Sequence, residues 1–153
     1  MATTPSAPDP SPAEITPAPI LVAERTGPAT YTGRNERGAT VAIGPEGNEG
    51  VFSPGELLAI AVAACIGMSA DSRISSELGD DVDLAVGITR TKDGDYNRYS
   101  GFTAELVVDG STLSPERRVR LVATATKAID RHCTVSRTLK AGASVDVSIN
   151  TSA

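Results

Sequence analysis

The chain has 153 residues, a net charge of −5, 40% hydrophobic residues and 22% charged residues, which is typical of one globular domain. The acidic balance argues against a nucleic-acid partner, because phosphate recognition needs clustered Lys and Arg. The single histidine and the two cysteines exclude zinc sites built on several histidines or on four thiolates. The two cysteines are therefore the main candidates for chemistry.

The N-terminal sequence contains no pattern that predicts export or membrane insertion. The first basic residue is Arg25, so no charged segment precedes an apolar one. The longest apolar run, 57–68, has 12 residues, whereas a helix that spans a bilayer needs about 20. We therefore expect a cytoplasmic protein without a membrane partner. In that compartment paired thiols more often perform redox chemistry than form a permanent disulfide.

The chain begins with a segment of unusual composition. Residues 1–19 contain six of the ten prolines, mixed with Ala, Ser and Thr, which predicts a disordered tail. A single ordered domain is expected over residues 20–150. Its first part carries three strand patterns and a polar turn before the third strand. The strands are predicted at 20–26, 29–32 and 39–43, and the turn at 33–38.

A long helix is predicted after this hairpin. Ser53 offers an N-cap, Pro54 occupies the first helical position and Glu56 completes a capping box. The helix should continue to a C-cap at Gly79. From 57 to 68 it is apolar on every side. Such a helix must be covered all round, by a sheet on one side and by another helix or subunit on the other.

The second half of the chain repeats this pattern of strands followed by a helix. Two strands are predicted, then a second helix that opens at Ser114 and Pro115 and ends near Cys133, and finally a last strand. The strands are predicted at 83–91, 99–108 and 143–149. The alternation of short strand groups with single helices predicts an α+β fold with two helices packed on antiparallel sheets.

Each predicted helix carries one of the two cysteines. A cysteine in an apolar helix often packs as a small hydrophobe, but two helices that begin alike and hold one thiol each are expected to face one another. Cys133 lies at the end of its helix, where the negative pole of the dipole disfavours a thiolate. This placement predicts that Cys133 is the poorer nucleophile, which suits the role of a resolving thiol.

A reactive Cys65 would need a positive charge from outside its own helix. The turn at 33–38 offers Arg34 and Arg37, although most exposed turn arginines are simply solvated. Glu56 precedes Cys65 by nine residues, which places the two on opposite helix faces about 13 Å apart along the axis. Glu56 is therefore expected to orient an arginine, to serve the thiol of a second subunit, or only to complete the capping box.

Two motifs resemble those of the OsmC/Ohr family of peroxide-reducing proteins. The first is SPGELL at 53–58 leading to AAC at 63–65, and the second is CTVSRTL at 133–139. The resemblance covers about residues 20 to 150. TYTGRN at 30–35, placed before SPGEL, resembles the OsmC-like branch of the family.

The resemblance implies a fold, an assembly and a chemistry. It implies an intertwined homodimer with two long central helices between sheets and with active sites at the subunit interface. Cys65 would attack the peroxide O–O bond and become a sulfenic acid, and Cys133 would condense with it to a disulfide. Arg34 would hold Cys65 as a thiolate, and Glu56 would assist. No bound cofactor is implied, because an external dithiol, such as a lipoyl-bearing protein, would reduce the disulfide.

Three positions depart from the family pattern. Gly55 stands where the hydroperoxide-specific branch has glutamate, Ile66 replaces a common phenylalanine, and Thr134 replaces the proline after the second cysteine. These departures keep the redox pair and leave the substrate preference open. An alternative interpretation is therefore a non-enzymatic protein of the same fold that responds to redox state or binds a small ligand.

Overall fold

A computed structural model describes residues 21–149 and residue 151. The predicted disordered tail lies outside the described residues. The chain forms two compact units, which meet in the sequence between Phe52 and Ser53.

The N-terminal unit is a three-stranded antiparallel sheet. Its strands, in the order β1-β2-β3, are β1 (Leu21–Gly27), β2 (Thr30–Asn35) and β3 (Thr40–Ile43). The turn between β2 and β3 is shorter than predicted, because Gly33 and Arg34 pair with Val41 and Thr40. The Asn35 side chain closes this turn, where its Oδ1 accepts hydrogen bonds from two backbone N–H groups at 3.0 Å. Arg34 is therefore a strand residue.

The C-terminal unit begins with the long helix α1 (Pro54–Leu78). The predicted capping box is present: the Glu56 N–H donates to Ser53 Oγ at 3.2 Å, and the Ser53 N–H donates to Glu56 Oε2 at 2.7 Å. Gly79 ends the helix with a φ of 99°, a conformation that favours glycine. By length and composition alone α1 could cross a bilayer, a property that it shares with many helices in protein cores.

A hairpin and two further helices complete the unit. These are β4 (Leu84–Asp93), β5 (Arg98–Val108), α2 (Pro115–His132) and α3 (Thr134–Ala141). Strands β4 and β5 are antiparallel, and alternate residues along both strands are partly buried. The predicted α+β fold with antiparallel sheets is confirmed.

The core lies between the second half of α1 and helix α2. Ala70 and Ile74 of α1 are 0% and 1% exposed, and they cluster with Leu121 and Ala125 of α2 and with Leu113. Inward-facing residues of the hairpin close this cluster, namely Leu84, Leu106 and Val108. The core thus anchors the end of α1 that is distant from its capped N-terminus.

Two parts of the C-terminal unit differ from the predictions. The chain after Cys133 forms a third helix, α3, which ends at Gly142 in the left-handed conformation (φ 66°). Residues 143–149 form no strand, so that prediction is wrong for the single chain. Their alternating apolar residues are 82% to 87% exposed, namely Val145, Val147 and Ile149. A strand needs a neighbour for its backbone hydrogen bonds, and within residues 21–149 and 151 this segment pairs with none.

Candidate functional site

The C-terminal unit brings the two cysteine side chains together. Both are free thiols; Cys65 is half-buried and Cys133 is buried. The Cys65 thiol lowers the pKa of the Cys133 thiol, which places the two side chains close to one another. Their helices, α1 and α3, are in contact, so the facing of the two thiols arises from the packing of these helices.

Cys65 lies in the middle of α1, where the helix is almost wholly apolar. Its carbonyl accepts a hydrogen bond from Ser69 Oγ at 2.6 Å. Val62 and Ala63 beside it are buried, whereas Ala64 is exposed. The helix therefore presents this thiol between a packed face and an open face.

Cys133 occupies the junction between α2 and α3. Its N–H donates to the Ile129 carbonyl at 2.9 Å and so ends α2, while its own carbonyl accepts from the Arg137 N–H at 3.1 Å and so begins α3. The thiol is thus close to the negative pole of one helix and to the positive pole of another. The prediction that a helix end disfavours the Cys133 thiolate is wrong, because the sequence pattern did not reveal that a second helix starts there.

The surroundings of Cys133 stabilise its charged form. Burial raises the pKa of this thiol, but the hydroxyl and the backbone of Ser136 lower it, and the pKa lies below its ordinary value as a result. The Cys65 thiol and the positive charge of Lys140 add to the lowering. The Cys133 sulfur lies 3.0 Å from Ser136 Oγ. The surroundings of Cys133 therefore favour the ionised form of its thiol.

A cavity of about 550 Å³ lies next to the thiol pair. Ser136, which contacts the Cys133 sulfur, also lines this cavity, as does Ile66, the neighbour of Cys65. Its walls are mostly apolar, with Val62, Phe102, Ile129 and Leu139 among them. Such a space suits a small organic molecule with an aliphatic body.

Glu56 belongs to a polar cluster at the start of α1. The Ser53 N–H and hydroxyl lower the pKa of its carboxyl group, and the charge of Arg90 adds to this effect. Arg90 Nη1 also donates to the Tyr99 hydroxyl at 3.0 Å. Sequence reasoning missed Arg90, although it follows Val86 and Ile88 at the alternating, partly buried positions of β4.

The absence of a side chain at position 55 makes room for Tyr99. A Cβ atom on Gly55 would clash with the Tyr99 hydroxyl. This gives a structural reason for glycine at position 55. The capping-box role of Glu56 is observed, and its catalytic role stays a prediction.

The remaining predicted site residues lie in the N-terminal unit. Arg34, in β2, forms an ion pair with Glu24 of β1, and its side chain is 48% exposed. Arg37 is exposed in the turn after β2. That either arginine serves Cys65 stays a prediction.

His132 is exposed next to Cys133. Across residues 21–149 and 151 there is no group of three His, Cys, Asp or Glu side chains placed to hold a metal ion.

Comparison with known proteins places this geometry in a family. The family model of the OsmC-like protein matches residues 47–148. An uncharacterized protein of Mycobacterium tuberculosis is 42% identical over 129 residues, which cover 84% of this chain and 94% of that protein. An uncharacterized protein of Mycobacterium bovis matches to the same extent, 42% over 129 residues.

Solved structures share the fold at low sequence identity. The OsmC-like protein of Mycoplasma pneumoniae has a TM-score of 0.62 at 12% identity and covers 84% of this chain and 91% of its own. A hypothetical protein of Aquifex aeolicus reaches 0.64 at 16%, with 83% and 90% covered. The organic hydroperoxide resistance protein OhrB of Bacillus subtilis reaches 0.52 at 20%, with 82% and 92% covered. The chain therefore belongs to the OsmC-like family.

Proposed function

We propose that the protein is a thiol-dependent peroxidase that reduces organic hydroperoxides or hydrogen peroxide. The observation that carries this proposal is that a half-buried thiol, Cys65, lies near a buried thiol, Cys133, and lowers its pKa. The fold shared with organic hydroperoxide resistance proteins of Bacillus subtilis and Elizabethkingia anophelis supports it. The apolar cavity beside the pair supports an organic substrate.

The first half of the reaction takes place at Cys65. Its thiolate sulfur attacks the peroxide oxygen that carries the hydrogen atom, and the O–O bond breaks with its electron pair on the departing alkoxide. The sulfur becomes a sulfenic acid, and the alkoxide takes a proton and leaves as an alcohol. Cys65 is assigned this step because it is less buried than Cys133. The geometry thus gives an incoming peroxide easier access to Cys65.

The second half regenerates the thiols. The Cys133 thiolate attacks the sulfenic sulfur of Cys65, the S–O bond breaks, and hydroxide leaves and becomes water. A dithiol then reduces the disulfide by two successive exchanges and is itself oxidised to a disulfide. We propose a dithiol carrier such as a lipoyl-bearing protein as the reductant, so that no bound cofactor takes part.

Arg34 and Glu56 are proposed to assist Cys65. Arg34 would stabilise the thiolate and the departing oxygen by its charge, and Glu56 would orient an arginine. Arg34→Gln should slow peroxide consumption, and Arg25→Gln, an exposed change on β1, serves as its control. Equal rates for the two variants would remove Arg34 from the mechanism.

A homodimer is part of the proposal because α1 has an uncovered apolar face. Ile60 is 43% exposed and Met68 is 80% exposed on this helix, and Ala61 and Ala64 are exposed on it as well. A second copy of the same helix is the proposed cover, consistent with the all-round apolar pattern of residues 57–68.

Light scattering tests this assembly. The wild type should have the mass of two chains, and Met68→Glu should shift the mass towards one chain. Thr126→Glu, at an exposed position of α2, should leave the mass unchanged. A wild type with the mass of one chain would contradict the dimer.

Peroxide consumption by the purified protein tests the activity. With a dithiol reductant the wild type should consume tert-butyl hydroperoxide over many turnovers, and Cys65→Ser should not exceed the blank. Ser72→Ala, at an exposed position of α1, serves as the control for a change in the same helix. After one equivalent of peroxide without reductant, the intact mass should fall by two hydrogens.

Three outcomes would contradict the proposed peroxidase mechanism. Equal consumption by the wild type and Cys65→Ser would exclude Cys65 as the nucleophile. A disulfide that forms without turnover would instead favour a non-enzymatic redox-responsive protein, and an unoxidised pair would favour ligand binding in the cavity.

A further inference from the structure

We propose that Ser136 is a positioning residue that holds Cys133 as a thiolate in the resting protein, ready to attack Cys65 once Cys65 has been oxidised. The inference rests on the proposed function and deepens it. It gives the buried thiol of the pair a hydroxyl neighbour that favours its charged form.

The geometry at the start of α3 carries this inference. Ser136 is the third residue of α3, which begins at Thr134, so it lies in the first turn, where the backbone N–H groups have no partner within the helix. Its hydroxyl lies 3.0 Å from the Cys133 sulfur. Its backbone also favours the thiolate, although no formal cap hydrogen bond to the Cys133 side chain is present. Side chain and backbone of one residue thus act on the same sulfur.

The charges around Cys133 agree with a thiolate there. The titratable groups that face it are the Cys65 thiol from α1 and the Lys140 ammonium from α3. Lys140 is 75% exposed and lies 4.0 Å from Asp130, so its effect is expected to be weak and sensitive to salt. His132, the last residue of α2, is exposed. The contact with Ser136 therefore contributes most to favouring the thiolate form of Cys133.

A sheltered thiolate has a clear use in the second half of the reaction. Cys133 is 0% exposed, so peroxide in solution does not reach it readily, whereas the sulfenic acid on Cys65 forms beside it. The Cys133 sulfur then forms the S–S bond, the S–O bond of Cys65 breaks, and the departing hydroxide takes a proton from solvent. A thiol would have to lose its proton before this attack. A ready thiolate thus shortens the time during which the sulfenic acid can be oxidised further.

A titration of Cys133 alone tests the inference without peroxide. In the Cys65→Ser background the absorbance at 240 nm reports the Cys133 thiolate. Adding Ser136→Ala should move the midpoint of this titration up by about one pH unit, because a hydrogen bond to a charged group is lost. Adding Ser136→Thr instead, which keeps the hydroxyl, should leave the midpoint close to that of the Cys65→Ser protein. Adding Thr138→Ala, which removes an exposed hydroxyl from α3, should leave the midpoint in place.

A second variant covers the case in which Ser136→Ala does not fold. Lys140→Gln, at a largely exposed site, should raise the same midpoint by a smaller amount, and the shift should disappear in high salt. If Cys133 in the Cys65→Ser protein titrates with the midpoint of an ordinary cysteine, the inference is overturned directly. An unchanged midpoint in folded Ser136→Ala would overturn the role of Ser136.

Kinetics separate this inference from the peroxidase itself. After one equivalent of tert-butyl hydroperoxide, disulfide formation is followed by quenched intact mass from pH 5.5 to 9. In Ser136→Ala it should be about tenfold slower than in the wild type near pH 6 and should converge with the wild type at high pH. Consumption of the first peroxide equivalent is measured in parallel, so that disulfide formation is compared with Cys65 oxidation in the same variant. If the wild-type thiols are not oxidised by peroxide, the peroxidase proposal is rejected. If they are oxidised, but disulfide formation in the wild type and in Ser136→Ala has the same pH profile, only the role of Ser136 is rejected.

Discussion

The middle of α1 and the junction of α2 with α3 hold the same type of side chain in opposite surroundings. Cys65 lies in a continuous helix, where the neighbouring peptide groups bond to one another and leave no free donor for the sulfur. Cys133 lies where one helix ends and another begins, and its sulfur lies 3.0 Å from the Ser136 hydroxyl in the first turn of α3. The reactivity of each thiol is therefore set by its position on the backbone as much as by its burial.

The largest expected effect comes from removing one thiol or the other. Cys133→Ser should consume about one equivalent of peroxide and then stop, because the Cys65 sulfenic acid has no resolving partner. Cys65→Ser should consume none. Peroxide loss over time and intact mass distinguish the two variants. Sustained turnover by Cys133→Ser with a dithiol would show that the reductant resolves Cys65 directly.

The core end of α1 provides a comparison with its thiol-bearing middle. Ile74→Ala should lower the free energy of unfolding by about 2–5 kcal/mol, because Ile74 is 1% exposed and its loss leaves a cavity. Urea unfolding measures this change. Val119→Ala, at a site on α2 that is 71% exposed, should cost less than about 0.5 kcal/mol. A thiol titration that changes in folded Ile74→Ala would show that core and site are coupled.

A change at the C-terminal end of α3 tests whether this helix affects the pKa of the Cys133 thiol. Gly142 has a φ of 66°, so Gly142→Ala should cost about 1–2 kcal/mol and should loosen the last turn of α3. Gly79→Ala at the end of α1, where φ is 99°, is the matched control. Both variants should be less stable in urea, and only the α3 variant should raise the titration midpoint of Cys133. If Gly142→Ala leaves the titration midpoint of Cys133 unchanged, only the first turn of α3 affects this thiol.

The smallest expected effect concerns Glu56 and pH. The Ser53 hydrogen bonds hold the pKa of this carboxyl below 4.5 in the folded protein. Its contribution to stability is therefore present above the unfolded pKa and is lost as the pH falls through the folded pKa. Glu56→Gln should remove this part of the pH dependence below about pH 5, as measured by unfolding at several pH values. Glu105→Gln on β5 is the control, and an unchanged profile would contradict the prediction.

The helix that carries Cys65 could be predicted almost completely. Ser53, Pro54 and Gly79 act within a few residues of themselves, so the start and end of α1 follow from local chemistry. The pairing of β4 with β5 is equally local. The α3 helix was not predicted, because it has only eight residues and short helices depend on tertiary packing more than on propensity. Residues 143–149 have a strand pattern, but a pattern cannot supply the neighbouring strand.

The sequence by itself determined the family motifs, the two thiols as the reactive pair and the helix on which Cys65 lies. Only the tertiary structure decided which thiol is shielded and favoured as a thiolate, because this depends on α3 starting at Cys133 and on the packing of α3 against α1. It also decided that Arg90 acts on Glu56 and that Tyr99 fills the space at Gly55. These contacts join residues more than 30 positions apart in the chain, and the sequence pattern around each residue does not indicate its distant neighbours.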